Sequence, residues 1–208
     1  MGKNIMYKLN QFFLDRSKSI TRITLDLELK KQFKKLKKGV VLDCGSKHSP
    51  YRNIIPSTKY LRLDIDEHSN PDICSDLHNI KWESNYFDTI IATEVLEHLH
   101  SPQKAIDEIY RILKPGGICI LSTRFIYRYH PDPKDYYRFT RDALLYLFKD
   151  YDLKRVYGHG NKLHVLWEIF IGFGIMSVPF KIIFNPIIAK INFKKTNYPL
   201  GFIVYAKK

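Results

Sequence analysis

Two kinds of hydrophobic spacing succeed one another along the chain. Near the start, Ile5, Met6, Leu9, Phe12 and Phe13 recur at helical spacing, and a second segment, residues 21–38, carries Phe33 and Leu36 inside the run KKQFKKLKK. Both predict amphipathic helices, the first over residues 5–18. From Gly39 the pattern changes to short apolar runs separated by polar turns. Strands are expected at residues 40–43, 60–64, 72–74, 87–92, 117–123, 153–157 and 202–206, and helices at 102–113 and 141–149. Lys114, Pro115, Gly116 and Gly117 stop the second-last of these helices and turn the chain into the next strand. Alternating strand and helix is the pattern of a parallel sheet covered on both faces.

This organisation predicts basic helices at residues 1–38, then one doubly wound α/β domain at 39–208 that includes an apolar insertion, 161–195, before the last strand. In the insertion, Trp167, Phe170, Phe173, Phe180 and Phe184 supply aromatic surface, while Gly172, Gly174, Pro179 and Pro186 divide it into short helices. Its longest uncharged stretch runs from residue 169 to 180, whereas a spanning helix needs roughly 20 apolar residues. The insertion is expected to cover a substrate site, to form a dimer face, or to lie on a membrane surface where Lys181, Lys190, Lys194 and Lys195 meet acidic headgroups.

The 208 residues, 45% of them apolar, suffice for one sizeable core. Lys and Arg number 34 against 21 Asp and Glu, a net charge of +13, so the surface attracts anions: phosphorylated glycans, nucleic acid or acidic lipid. Lys30, Lys31, Lys34, Lys35, Lys37 and Lys38 form either such a patch or a solvated helix face. Cys44, Cys74 and Cys119, an odd number within strand-like runs, read as reduced, buried thiols of a cytoplasmic protein. Residues 1–20 lack the apolar centre of a secretory signal. The expected location is cytoplasmic, peripheral to a membrane where the insertion docks.

In an open α/β sheet, ligands bind beyond the carboxyl ends of the strands, so the residues closing each apolar run matter most. Asp43 closes the first run and Asp64 the second, and Asp76 follows the third. The 21-residue step from Asp43 to Asp64 is one strand-helix-strand unit, and a carboxylate there can accept both hydroxyls of a cofactor ribose. In TEVLEHL, Glu94, Glu97 and His98 are three and four apart, so a helix beginning there would share them on one face. His130, in the loop after the fifth strand, is expected over the same pocket. The four could hold a divalent ion that orients an acceptor's hydroxyls, or His98 and His130 could act without metal as base or acceptor-positioning groups.

The stretch FDTIIATEVLEHLHSPQKAIDEIYRILKPGGICILST, residues 87–123, is similar to the fourth strand, following helix and fifth strand of class I S-adenosylmethionine-dependent methyltransferases of the type 11 group. The resemblance runs from Gly39 to Leu147 and returns in PLGFIVYAKK. It implies a seven-stranded, mostly parallel sheet of order 3-2-1-4-5-7-6 with an antiparallel last strand, and S-adenosyl-L-methionine as cofactor. It further implies Asp43, Gly45 and Ser46 near the methionine end, Asp64 on the ribose, and Asp76 with the Leu77 backbone at the adenine. Ala92, Thr93 and Glu94 would border the sulfonium. The glycine loop departs from the usual pattern: Gly45 stands alone, with Lys47 and Ser49 where further glycines are often found, although Pro50, Tyr51 and Arg52 resemble a variant of the family. The set Glu94, Glu97, His98 and His130 resembles that of plant small-RNA 2′-O-methyltransferases, where it binds magnesium.

The leading functional expectation is methylation of a hydroxyl on a small-molecule or glycan acceptor. The alternatives are an RNA methyltransferase, suggested by the charge, and a catalytically inactive cofactor-binding or scaffold protein, suggested by the irregular glycine loop.

Overall fold

A computed structural model describes residues 18–131, 133–171, 177–191 and 196–208. The helix expected over residues 5–18 and the side chains of Phe173, Lys194 and Lys195 lie outside the described residues. Those described begin with α1 (Ile20–Phe33), after which the strands β1 (Gly39–Cys44), β2 (Ser57–Asp64), β3 (Ile73–Cys74), β4 (Phe87–Thr93) and β5 (Leu113–Arg124) follow, with α2 (Pro102–Ile112) between β4 and β5. Then come α3 (Arg141–Leu147), β6 (Leu153–His159), α4 (Lys162–Ile171), α5 (Ser177–Ile188) and β7 (Gly201–Lys207).

The seven strands form one sheet of order β3-β2-β1-β4-β5-β7-β6, as the resemblance implied. β1 lies between β2 and β4 and pairs parallel with both. Buried on both faces, it needs the near-continuous apolar run VVL. The start of β5 bonds to the residue after β7, through Gly116 N to Lys208 O at 2.7 Å and Lys208 N to Gly117 O at 3.1 Å. Start meeting end makes this pair antiparallel. α2 turns Ala105, Ile106, Ile109 and Ile112 inward at helical spacing, against a core that includes Leu42, Ile90, Leu121 and Val204.

Two compact units are distinguished: Leu29–Tyr157 with Phe202–Lys208, and Met1–Glu28 with Gly158–Gly201. Residues 18–28, from the segment expected as N-terminal helices, and residues of the insertion, expected inside the 39–208 domain, thus share a unit. Within it, the Asn185 side chain donates to Lys18 O at 2.8 Å, and Ile20, Ala189 and Leu200 form a small apolar cluster. Among its described residues the insertion holds two short helices, and Pro179 and Pro186 both lie within α5 rather than between helices. No described helix is long and apolar enough to cross a membrane. Cys44 and Cys119 are buried free thiols as expected, but Cys74 is exposed, because β3 is a two-residue strand at the edge of the sheet.

Candidate active site

Strand register brings the acidic strand ends to one edge. Cys44 pairs with Leu63 on one side and Ala92 on the other, and Thr93 pairs with Ser122. The residues that close these strands, Asp43, Asp64, Ala92, Thr93 and Glu94, therefore lie at the carboxyl edge where α/β sheets bind ligands.

The loop after β1 is held by its backbone. Gly45 has φ +63°, and a Cβ there would stand 2.6 Å from Val95 Cγ2, so no side chain fits. Lys47 and Ser49, at positions where the usual pattern carries glycines, take φ +41° and +45°. Both thus adopt a left-handed conformation that costs a non-glycine residue free energy, and the loop keeps a glycine-like path without the glycines. Ser49 N donates to Ser46 O at 2.8 Å, and Ser49 Oγ lies 3.1 Å from Ser46 Oγ.

Asp64 is buried at the end of β2, its Oδ2 accepting from Lys47 N at 3.2 Å and its Oδ1 from Asp66 N at 3.1 Å. One acceptor direction remains on each oxygen. Asp43 is sealed beneath, accepting from Tyr60 Oη at 2.6 Å; burial pushes its carboxyl up to about 6, against the lowering effect of that bond. Asp76 Oδ1 accepts from His78 N at 2.8 Å and lies 2.6 Å from His78 Nδ1, leaving Oδ2 as an acceptor. Its pKa is lowered: partial burial raises it, and the bonds from His78 more than offset that. His78 Nε2 accepts from Ser101 N at 3.3 Å, and its ring stacks on His100 at 4.2 Å. Leu77 is buried beside them.

The segment after β4 differs from the expected helix. Glu94 has φ +57°, and its N donates to Ser122 O at 3.0 Å, so the chain forms a short 3-10 turn, Leu96–His98, and α2 starts only at Pro102. The two carboxylates turn to β5. Glu94 Oε1 accepts from Ser122 Oγ and Glu97 Oε2 from Thr123 Oγ1, each at 2.9 Å, while Arg124 Nε lies 2.9 Å from Glu94 Oε2 and 3.6 Å from Glu97 Oε1. Arg124 also lies over the Tyr127 ring at 3.9 Å. Burial, then the charge of Glu94, pushes the Glu97 carboxyl well above the usual carboxylate range.

The histidines stand together. The rings of His98 and His130 meet edge to face at 5.4 Å, and His98 Nδ1 contacts the Lys134 carbonyl. His130 N donates to Asp135 Oδ2 at 2.8 Å, and Asp135, paired with Arg138, is held at about 2 by that guanidinium. The four residues of the expected metal set lie in two groups, the carboxylates at Arg124 and the histidines at each other. Glu94 and Glu97 face the Arg124 guanidinium, and among the described residues no three His, Cys, Asp or Glu side chains are placed to hold a metal. Sequence reasoning missed Arg124, Ser122, Tyr60 and His78. Ser122 and Arg124 carried a readable signal, since they close the apolar run of β5 just as the aspartates close theirs.

The profile of a family described as "Methyltransferase domain" matches residues 9–121, more than half the chain. A tRNA (carboxymethyluridine(34)-5-O)-methyltransferase of Arabidopsis thaliana is 32% identical over 96 residues, 40% of this chain and 24% of that protein. A ubiquinone biosynthesis O-methyltransferase of Psychrobacter cryohalolentis is 27% identical over 82 residues, 39% of this chain and 28% of that protein. The chain thus matches only about a quarter of the length of these two curated relatives. In fold, a SAM-dependent methyltransferase from Archaeoglobus fulgidus superposes with a TM-score of 0.59 at 14% identity, covering 91% of this chain and 95% of that one.

Proposed function

The chain belongs to the class I S-adenosylmethionine-dependent methyltransferases, and from that premise we propose that it methylates a hydroxyl of a small-molecule or glycan acceptor. When bound, S-adenosylmethionine supplies an electrophilic methyl group on its sulfonium. The strand-end residues fit it. Gly45 turns the loop in a left-handed conformation packed against Val95, Asp64 keeps an acceptor direction on each oxygen for the two ribose hydroxyls, and Asp76 Oδ2 with the Leu77 backbone suits the adenine edge. Asp43, Gly45 and Ser46 border the methionine end, and Ala92, Thr93 and Glu94 the sulfonium. The chain's main contribution to transfer is to hold donor and acceptor in line in a desolvated site.

The observation that carries the hydroxyl reading is the contact of His98 Nδ1 with the Lys134 carbonyl. A carbonyl only accepts, so Nδ1 holds the ring's proton and Nε2 of the neutral imidazole keeps its lone pair. That nitrogen can take the proton an attacking hydroxyl must lose, with His130 beside it to position the acceptor. The two curated relatives named above are both O-methyltransferases by name. The test is transfer of labelled methyl to a panel of hydroxyl and amine acceptors by the wild type and His98→Gln. Hydroxyl methylation should fall about 100-fold or more near neutral pH and recover in part at alkaline pH. Equal rates, or transfer to amines alone, would overturn the reading.

A second reading, RNA as acceptor, draws on a groove of about 420 Å³ whose lining includes Lys35, Lys37, Lys38, Lys114 and Lys207. The groove lies at the amino ends of β4 and β5, the opposite edge from the strand-end aspartates.

A further inference from the structure

The hairpin of α4 and α5 is amphipathic in the inverse sense. Its described uncharged polar groups point inward and are bonded: Asn161 Oδ1 accepts from Leu163 N at 3.0 Å, Asn161 Nδ2 donates to Ile191 O at 2.9 Å, His164 Nε2 lies 2.9 Å from Ile188 O, and Trp167 Nε1 donates to Asn185 Oδ1 at 2.7 Å. Its apolar residues face out. Leu166, Ile169 and Phe170 on α4, and Phe180, Ile183 and Ile187 on α5, are each between 54% and 73% exposed. Their spacing of three and four along each helix places them on one continuous stripe per helix. Soluble monomers rarely leave so many large apolar side chains together in water, and such a patch marks an interaction surface.

Charge selects the occupant. Lys162, Lys181 and Lys190 flank the stripes, against Glu168 as the one acidic residue between 158 and 191, in a chain of net charge +13. A second copy would oppose like charges across the contact; an anionic bilayer complements them. Ten and twelve residues make these helices too short to span. We propose that this face is an interfacial docking surface for an anionic lipid bilayer, with the outward apolar residues at the headgroup and acyl boundary and the lysines among the headgroups.

The full chain is mixed with vesicles of phosphatidylcholine, with and without phosphatidylglycerol, and sedimented at low and high salt. The wild type should sediment with the phosphatidylglycerol vesicles, less so at high salt. Replacing four exposed side chains together, Leu166→Gln, Phe170→Gln, Ile183→Gln and Ile187→Gln, should weaken that binding about tenfold or more, since each loses burial in the acyl boundary. The variant's melting temperature and its S-adenosylmethionine affinity should hold, which separates loss of docking from loss of fold or of methyl transfer. Wild-type protein left in the supernatant at low salt would overturn the proposal, as would equal sedimentation of the variant. So would a dimer, seen by sedimentation velocity, that the four substitutions dissolve in the absence of vesicle binding.

Discussion

At Asp64 a single carboxylate is asked to serve loop and ligand together. It ties Lys47 N and Asp66 N to the end of β2, and the proposed site gives its remaining lone pairs to a ribose. Asp64→Ala should weaken S-adenosylmethionine binding by about 1.5–3 kcal/mol, more than roughly tenfold, measured by calorimetry. Asp64→Asn keeps the side chain's size and serves as the control for loop geometry; unchanged affinity in the alanine variant would remove Asp64 from the site. Asp43 has a different consequence, for stability. Its folded pKa, about 6, stands above its ordinary value of 3.8 because burial disfavours the charge. Folding therefore binds the proton, and the stabilisation is complete below 3.8 and lost as pH rises through about 6. At 1.36 kcal/mol per unit, the loss is roughly 3 kcal/mol. Denaturant melts of the cofactor-free protein across this window should show the decline in the wild type and its absence in Asp43→Asn; parallel curves would refute the assignment.

Among the elements, the hydrophobic pattern made the centre of the sheet legible because β1, β4 and β5 each hold a compact apolar run with a polar end. The spacing of Asp43 and Asp64 located two strand ends without further help. TEVLEHL misled, since helical spacing says nothing about a tertiary bond, and it is the bond from Glu94 N to Ser122 O, with Glu94 left-handed, that prevents a helix there. The helix expected to reach Lys38 ends at Phe33, and the chain enters β1 at Gly39. Side-chain pairing across distant segments, such as Arg124 with Glu94 and Glu97, has no signature in spacing at all. The hairpin hides its logic in the same way, for its polar residues are buried only because they find carbonyls and one another. Asn161 is the clearest case: it caps α4 through Leu163 N and His164 N and also binds Ile191 O. Asn161→Ala should cost about 1–2 kcal/mol and speed hydrogen exchange in the first turn of α4. Exchange unaltered there would show that the cap contributes nothing.

For the molecule as a whole, net charge sets long-range attraction but not chemistry. The +13 charge predicts that any RNA binding is electrostatic, falling steeply with salt and indifferent to sequence. Filter binding of RNA oligonucleotides over a salt series tests this, and affinity that survives high salt would bring RNA back as the acceptor. The order of the sheet carries a consequence for how the chain is made. β1 to β5 pair with neighbours already synthesised, but β7, seventh in the chain, lies between β5 and β6. Until β7 leaves the ribosome, β6 has no partner and β5 keeps an open edge, a template for unwanted pairing. A nascent chain stalled before Gly201 should therefore be a chaperone client with a half-built sheet, and synthesis of β7 should release it.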